Sequence, residues 1–155
     1  MEVTLDWKGG MAFKGFADSG FQQNMDADES VGGENGAGRP MEFIAMGLAG
    51  CTGMDVISIL KKKQQDVKSF QVKVHAEKSE EHPKVFTSAI IEYQVLGDDI
   101  SEDALIRAIE LSSEKYCPAQ TMLSKAFPIK LIYKIFDKSG ETLLKEGEYI
   151  SKKTS

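Results

Sequence analysis

Hydrophobic and polar residues alternate along two long stretches in the middle of the chain. Every second position is apolar in residues 70–77, and the alternation returns in residues 85–95 after a turn at 80–83. A period of two is typical of a β-strand with one covered face. The pattern therefore predicts a long antiparallel hairpin whose polar face meets solvent and whose apolar face meets helices.

Shorter apolar stretches predict further strands towards both ends of the chain. These strands cover residues 3–7, 11–16, 21–25 and 129–135, with a weaker strand after Gly140. The Lys8-Gly9-Gly10 sequence predicts a hairpin turn between the first two strands. Residues 26–38 are rich in Asp, Glu, Gly and Asn and are predicted to form a loop, and residues 151–155 a frayed tail.

Residues 40–63 are apolar around almost the whole circumference of a helix, which is typical of a buried helix. Pro40 suits its first turn and the lysines at 61–63 suit its last. Gly47, Gly50 and Gly53 each cost about 1 kcal/mol against alanine inside a helix, so they indicate close packing against another backbone. The apolar part approaches the length of a membrane span, but its glycines and Asp55 favour a core helix.

A second helical pattern begins after Ser101, a predicted N-cap, and ends at Tyr116-Cys117. Pro118 starts a short helix that reaches about Ala126. Strands and helices together predict an α+β fold, and 155 residues with 41% hydrophobic content predict a single domain spanning residues 1–155.

Charge and cysteine content narrow the classes of function. The chain has 19 basic and 24 acidic residues, a formal net charge of −5, and its lysines are dispersed, so no nucleic-acid partner is expected. Residues 1–8 lack the pattern of a signal peptide. With two cysteines, the chain is expected in the reducing cytoplasm, where a disulfide is more often transient and catalytic than structural.

The two cysteines are the candidate reactive groups. Cys51 lies in the long apolar helix, and Cys117 stands directly before Pro118. Each could react, bind a metal or pack as a small hydrophobic residue. His75 lies on the predicted exposed strand face and His82 in a turn, so no metal site is predicted. The residues alone do not decide whether the two cysteines are packed, inert thiols or reactive ones.

A nucleophilic thiol needs a lowered pKa and therefore a positive neighbour. Arg39, at the entry to the cysteine helix, is one candidate. Glu42 lies nine residues before Cys51, which on a helix is about half a turn out of phase and about 13 Å away. It can share the site only if the helix bends or a second subunit closes it. Asp55, one turn after Cys51, is expected to cap or to pair with a lysine or a backbone amide.

The sequences around both thiols resemble those of a known family. Residues 38–43 (GRPMEF) and 47–56 (GLAGCTGMDV) are similar to the first cysteine motif of the OsmC/Ohr family, and residues 116–119 (YCPA) to its second. The WKGG hairpin at residues 7–10 and the order of elements also fit. The resemblance covers nearly the whole chain.

This resemblance implies an intertwined homodimer, with antiparallel sheets wrapped around central cysteine-bearing helices and active sites at the dimer interface. It also implies a thiol-dependent peroxidase that reduces organic hydroperoxides in oxidative-stress defence. Cys51 would attack the peroxide, Cys117 would resolve the product as a disulfide, and Arg39 and Glu42 would complete the site. An external dithiol, and no cofactor, would restore the thiols.

Two departures from the family pattern support an alternative function. Met41 separates Pro40 from Glu42, where the hydroperoxide-reducing members have an adjacent Pro-Glu pair. No arginine precedes Arg39, although the family's activating arginine lies in the N-terminal strands, and Lys8 or Lys14 would lack its bidentate fork. The alternative is a catalytically weak or inactive dimer that binds a small apolar or electrophilic ligand at its interface.

Overall fold

Residues 1–151 are described by a computed structural model and form two β-sheets and three α-helices. The predicted tail residues 152–155 lie outside the described part. The strands are β1 (Val3–Gly9), β2 (Ala12–Ala17), β3 (Gln22–Met25), β4 (Asp66–Lys78), β5 (Phe86–Asp98), β6 (Ile129–Phe136) and β7 (Leu143–Tyr149). The helices are α1 (Pro40–Lys62), α2 (Glu102–Leu111) and α3 (Pro118–Leu123), with a 3-10 turn at Glu29–Val31 and a π turn at Ser112–Tyr116. These elements confirm the predicted α+β class.

The chain divides into two compact units, Met1–Ala45 and Met46–Ser155. In the first unit, β1, β2 and β3 form an antiparallel sheet in that order, as predicted. Gly9 and Gly10 have φ angles of 105° and 51° at the hairpin turn, a region that favours glycine. That the whole chain is a single domain stays a prediction.

The segment between β3 and α1 is more ordered than the predicted loop, because Asp26 organises it. The Asp26 carboxylate is 6% exposed. It accepts backbone N–H groups from Ala27 at 2.8 Å, Gly36 at 2.9 Å and Glu34 at 3.1 Å. These hydrogen bonds, that of Gly36 first, hold the pKa of Asp26 below its usual value.

The second unit contains a four-stranded sheet in the order β4-β5-β6-β7. The predicted hairpin is confirmed, since β4 and β5 pair antiparallel along almost their whole length. One strand pair departs from the predicted antiparallel sheets, since β5 and β6 are parallel. α2 and α3 connect these two strands, and a parallel pair requires such a crossover.

One hydrophobic core joins α1, α2 and the sheet of the second unit. Its largest fully buried side chains include Leu60 of α1, Ile91 and Tyr93 of β5, and Leu105 and Ile109 of α2. The Ser101 hydroxyl accepts the N–H of Ala104 at 3.3 Å, which confirms the predicted N-cap of α2. α1 therefore lies against the same core that α2 covers.

α1 is buried on one side only, whereas the sequence predicted a helix buried all round. Met46 and Met54 are 59% and 73% exposed. A Cβ atom added at Gly47 or Gly50 would meet nothing within 4 Å, but one at Gly53 would lie 3.2 Å from Val72. Among these three glycines, Gly53 alone is closely packed, and it packs against a side chain of β4 and not against the predicted backbone. By length and composition α1 is the one helix in residues 1–151 that could span a membrane, a property shared by core helices of soluble proteins.

Candidate thiol site

Cys117 is held at the junction of two helical segments. The chain leaves α2 through the π turn, where the Cys117 N–H donates to the carbonyl of Ser112, five residues earlier, at 2.9 Å. The Cys117 sulfur accepts the N–H of Gln120 at 3.3 Å and so caps the N-terminus of α3. Pro118 occupies the first turn of that helix, as predicted. These contacts fix both the backbone and the side chain of Cys117.

The two cysteines differ in exposure and contact each other. Cys117 is 0% exposed, while Cys51 on α1 is only partly buried. Both are free thiols, and Cys51 lies close enough to Cys117 to raise the pKa of its thiol. The fold therefore brings together two thiols that lie 66 positions apart in the sequence (117 − 51).

Burial raises the pKa of the Cys117 thiol to about 12, although the N–H of Gln120 acts in the opposite direction. The neighbouring Cys51 thiol and the charge of Asp55 raise it further. At neutral pH, Cys117 is therefore a neutral thiol.

A chain of four polar side chains lies beside this pair, inside the core. Ser112 donates its hydroxyl proton to Asp55 Oδ2 at 3.0 Å. A hydroxyl has one proton, so Ser112 must accept from Thr52 at 2.9 Å, and Thr52 must in turn accept from Tyr93 at 2.6 Å. The donors run in one direction, from the Tyr93 phenol to the Asp55 carboxylate.

Sequence reasoning missed three members of this chain. Thr52, Ser112 and Tyr93 are all 0% exposed. Thr52 and Ser112 gave one signal in the sequence. Each is a polar residue at a position that the helical patterns predicted to be apolar. The expectation for Asp55 was wrong, since it accepts from a serine hydroxyl and not from a lysine or a backbone amide.

Arg39 and Glu42 make contacts within the first unit. The Arg39 guanidinium contacts Asp28 Oδ2 at 2.5 Å and Asn35 Oδ1 at 3.0 Å. The Glu42 carboxylate accepts the backbone N–H of Arg39 at 2.9 Å, as in the capping of a helix N-terminus. The catalytic role of both residues stays a prediction.

The histidines and acidic residues give no metal-binding cluster among the described residues 1–151. His75 is exposed and contacts Glu77 at 2.7 Å, and His82 lies in the exposed turn after β4. The site is therefore a pair of thiols with a buried polar chain beside it.

Replacing Thr52 with valine tests the polar chain. Valine keeps the shape of threonine but leaves the buried Tyr93 hydroxyl without its acceptor. We expect the free energy of unfolding in urea to fall by about 1–3 kcal/mol. Thr87→Val, at an exposed position of β5, is the control and should change stability by less than about 0.5 kcal/mol. Equal unfolding midpoints for the two variants would contradict the assigned chain.

Alkaline pH should destabilise the fold. Burial raises the pKa of Tyr93 and Tyr149, that of Tyr133 to about 12, and that of Cys117 to about 12. These groups lose their protons near pH 9–10 when unfolded, so above that pH the unfolded state binds fewer protons and stability falls as pH rises. Urea midpoints should be flat up to about pH 9 and then decrease steadily. A flat profile to pH 11 would contradict this.

Comparison with known proteins identifies the family. The family model described as OsmC-like protein matches residues 33–132. Protein YhfA of Escherichia coli (strain K12) is 38% identical over 135 residues, which cover 87% of this chain and 98% of that protein.

Solved structures share the fold. A hypothetical protein from Aquifex aeolicus VF5 has a TM-score of 0.76 and 31% identity, covering 88% of this chain and 96% of its own. An organic hydroperoxide resistance protein OsmC from Legionella pneumophila has a TM-score of 0.61 over 87% of this chain and 96% of its own; at 15% identity the likeness shows the fold alone. With the family model matching more than half of its residues, the chain belongs to the OsmC-like family.

Proposed function

We propose that this protein is a thiol-dependent peroxidase that reduces organic hydroperoxides in the cytoplasm, as part of oxidative-stress defence. The observation that carries the proposal is a pair of neighbouring free thiols with unequal exposure, Cys51 partly buried and Cys117 fully buried. A peroxide can reach the partly buried Cys51, and Cys117 lies beside Cys51, protected from solvent. Membership of the OsmC-like family and structural neighbours named organic hydroperoxide resistance proteins support the same activity.

In the first step, the Cys51 thiolate attacks one oxygen of the hydroperoxide. The O–O bond breaks, the alkoxide leaves and takes a proton to become an alcohol, and Cys51 becomes a sulfenic acid. The neutral Cys117 thiol lies beside Cys51 and takes no part in this step.

In the second step, the Cys117 sulfur attacks the sulfur of the Cys51 sulfenic acid. The S–O bond breaks, the S–S bond forms, and the thiol proton leaves with the hydroxyl group as water. An external dithiol then reduces the disulfide in two exchange reactions, so the cycle needs no cofactor. We propose that Arg39 and Glu42 also take part in the reaction, in which a guanidinium would polarise the peroxide.

We infer that the active form is a homodimer in which a second copy covers α1. Ile44, Met46 and Met54 are 43%, 59% and 73% exposed, and a Cβ added at Gly47 or Gly50 would have no neighbour within 4 Å beyond the adjoining backbone of α1. Large apolar side chains left exposed on a helix are typical of an interface. The expected mass in solution, measured by light scattering, is twice the 17.1 kDa of one chain.

The test of the function mixes reduced protein with one equivalent of cumene hydroperoxide and follows peroxide and free thiols together. Wild-type protein should lose both thiols as fast as it consumes peroxide. Cys117→Ser should stop at a Cys51 sulfenic acid that dimedone traps. Unchanged thiols with slow loss of peroxide would overturn the peroxidase. The interface ligand site would then be the better account, and the local engagement of Arg39 by Asp28 favours that alternative.

A further inference from the structure

Ser112 joins α1 to the segment that carries Cys117. Its hydroxyl donates to Asp55 at 3.0 Å and accepts from Thr52 at 2.9 Å, and both of these residues belong to α1. Its carbonyl accepts the N–H of Cys117 at 2.9 Å. Ser112 is 0% exposed, so no water can replace these contacts. One residue thus connects the helix of one thiol to the backbone of the other.

The π turn runs from Ser112 to Cys117, so the position of Ser112 affects where the Cys117 sulfur lies relative to the Cys51 sulfur. In a π turn the N–H of Cys117 bonds five residues back, and such turns are rare and frequently occur at functional sites. On the other side, Gln120 N–H at 3.3 Å and the Thr121 hydroxyl at 2.9 Å hold the sulfur and the carbonyl of Cys117. The start of the turn is fixed to α1 through Ser112.

Asp55 decides the orientation of the Ser112 hydroxyl. Asp55 lies four residues after Cys51 on the same helix. The helix that carries Cys51 therefore also holds Ser112, and through Ser112 the segment that carries Cys117. We call this hydrogen bond between Asp55 and Ser112 the anchor. Without an acceptor at position 55, the hydroxyl of Ser112 could turn towards Thr52 and the chain would lose its direction. The anchor therefore needs an oxygen acceptor at this position, and an amide oxygen can replace the carboxylate.

We propose that Asp55 and Ser112 form a positioning pair that holds Cys117 at the distance and angle needed to close a disulfide with Cys51. The pair acts on the second step only, in which Cys117 sulfur bonds to Cys51 sulfur. The oxidant in that step is the Cys51 sulfenic acid, so to that extent the inference rests on the proposed function. The geometry of closure is the same when the leaving group on Cys51 is the sulfur of glutathione.

The experiment measures the effective concentration of Cys117 towards Cys51. Reduced protein is equilibrated in glutathione buffers of fixed ratio, and mass spectrometry counts the Cys51–glutathione mixed disulfide against the Cys51–Cys117 disulfide. In this exchange one glutathione disulfide is reduced to two thiols for each protein disulfide formed. We expect Ser112→Ala and Asp55→Ala to lower the effective concentration by about tenfold or more. Asp55→Asn, which keeps an acceptor, should stay within about threefold of wild type.

Ser113→Ala is the matched control. Ser113 is the next residue of the same turn, but its hydroxyl donates to the Glu110 carbonyl of α2 at 3.1 Å, whereas that of Ser112 bonds to α1. It should leave the effective concentration unchanged. Far-ultraviolet circular dichroism is used to choose a temperature at which every variant is folded. Ser112→Ala and Asp55→Ala each remove one partner of the same hydrogen bond, so they test it independently.

A second arm separates this inference from the proposed function. With cumene hydroperoxide, the ratio of the disulfide-forming rate to the peroxide-consuming rate should fall about tenfold in Ser112→Ala relative to Ser113→Ala. If wild-type protein is inert to peroxide, the peroxidase is overturned, and the glutathione equilibrium still decides the positioning role. Effective concentrations within threefold of wild type for both alanine variants, or an equal loss in Asp55→Asn and Asp55→Ala, would overturn the positioning pair.

Discussion

Cys51→Ser should reduce organic hydroperoxide at least about a thousandfold more slowly than the wild type. The other groups of a catalytic site cannot act without its nucleophile, so removing the nucleophile has the largest effect of any single change. A serine hydroxyl is not ionised at neutral pH and is a far weaker nucleophile than a thiolate. Cys117 cannot substitute for the missing thiol. It is 0% exposed, and burial keeps it protonated.

The measurement is the initial rate of cumene hydroperoxide loss with excess dithiol reductant. Cys117→Ser is the comparison, since it lacks the buried thiol and keeps Cys51. It should consume about one equivalent of peroxide in a first turnover and then depend on the reductant to attack the sulfenic acid. Similar rates for Cys51→Ser and wild type would mean that another group reacts with the peroxide, and the assignment of Cys51 would be abandoned.

The second large effect concerns the buried thiol by itself. In Cys51→Ser, we expect iodoacetamide to alkylate Cys117 at pH 9 at least about a hundredfold more slowly than in the same variant unfolded in urea. Burial raises the pKa of Cys117 to about 12, and this main cause remains when Cys51 is removed. The alkylation rate should increase about tenfold for each pH unit above 9, since only the thiolate reacts.

Cys117→Ser supplies the control for access to the site. Its remaining thiol, Cys51, is only partly buried and should react in the folded state without denaturant. If Cys117 in folded Cys51→Ser reacts as fast as in urea, the thiol is neither buried nor held neutral. The asymmetry on which the proposed order of the two steps depends would then be lost.

Much of the fold could be predicted from local patterns. The alternation of residues 70–77 predicted part of β4, Pro40 and the lysines at its end predicted α1, and Ser101 predicted the cap of α2. These features depend on the period of side-chain burial and on hydrogen bonds within a few residues. The two cysteine motifs carried the resemblance that the family model bears out.

The candidate site could be predicted only in part. The sequence indicated Cys51 and Cys117 as the chemistry-bearing residues, and their proximity agrees with a shared site. It gave no signal for Tyr93, whose phenol looked like one more apolar position of an alternating strand. The contacts of Arg39 and Glu42 within the first unit are local and satisfy those residues without involving the thiols.

What the sequence by itself determined is which segments form helices and strands, which of their faces are apolar, and which two thiols are available. What only the tertiary structure decided is which segments meet. The parallel pairing of β5 with β6, the one-sided burial of α1 and the chain from Tyr93 to Asp55 all belong to this second group. The physical reason is that a periodic pattern records that a side chain is covered and not what covers it. The hydrogen bonds of the buried polar chain join residues 41 to 60 positions apart, and only the packed core brings them within 3 Å.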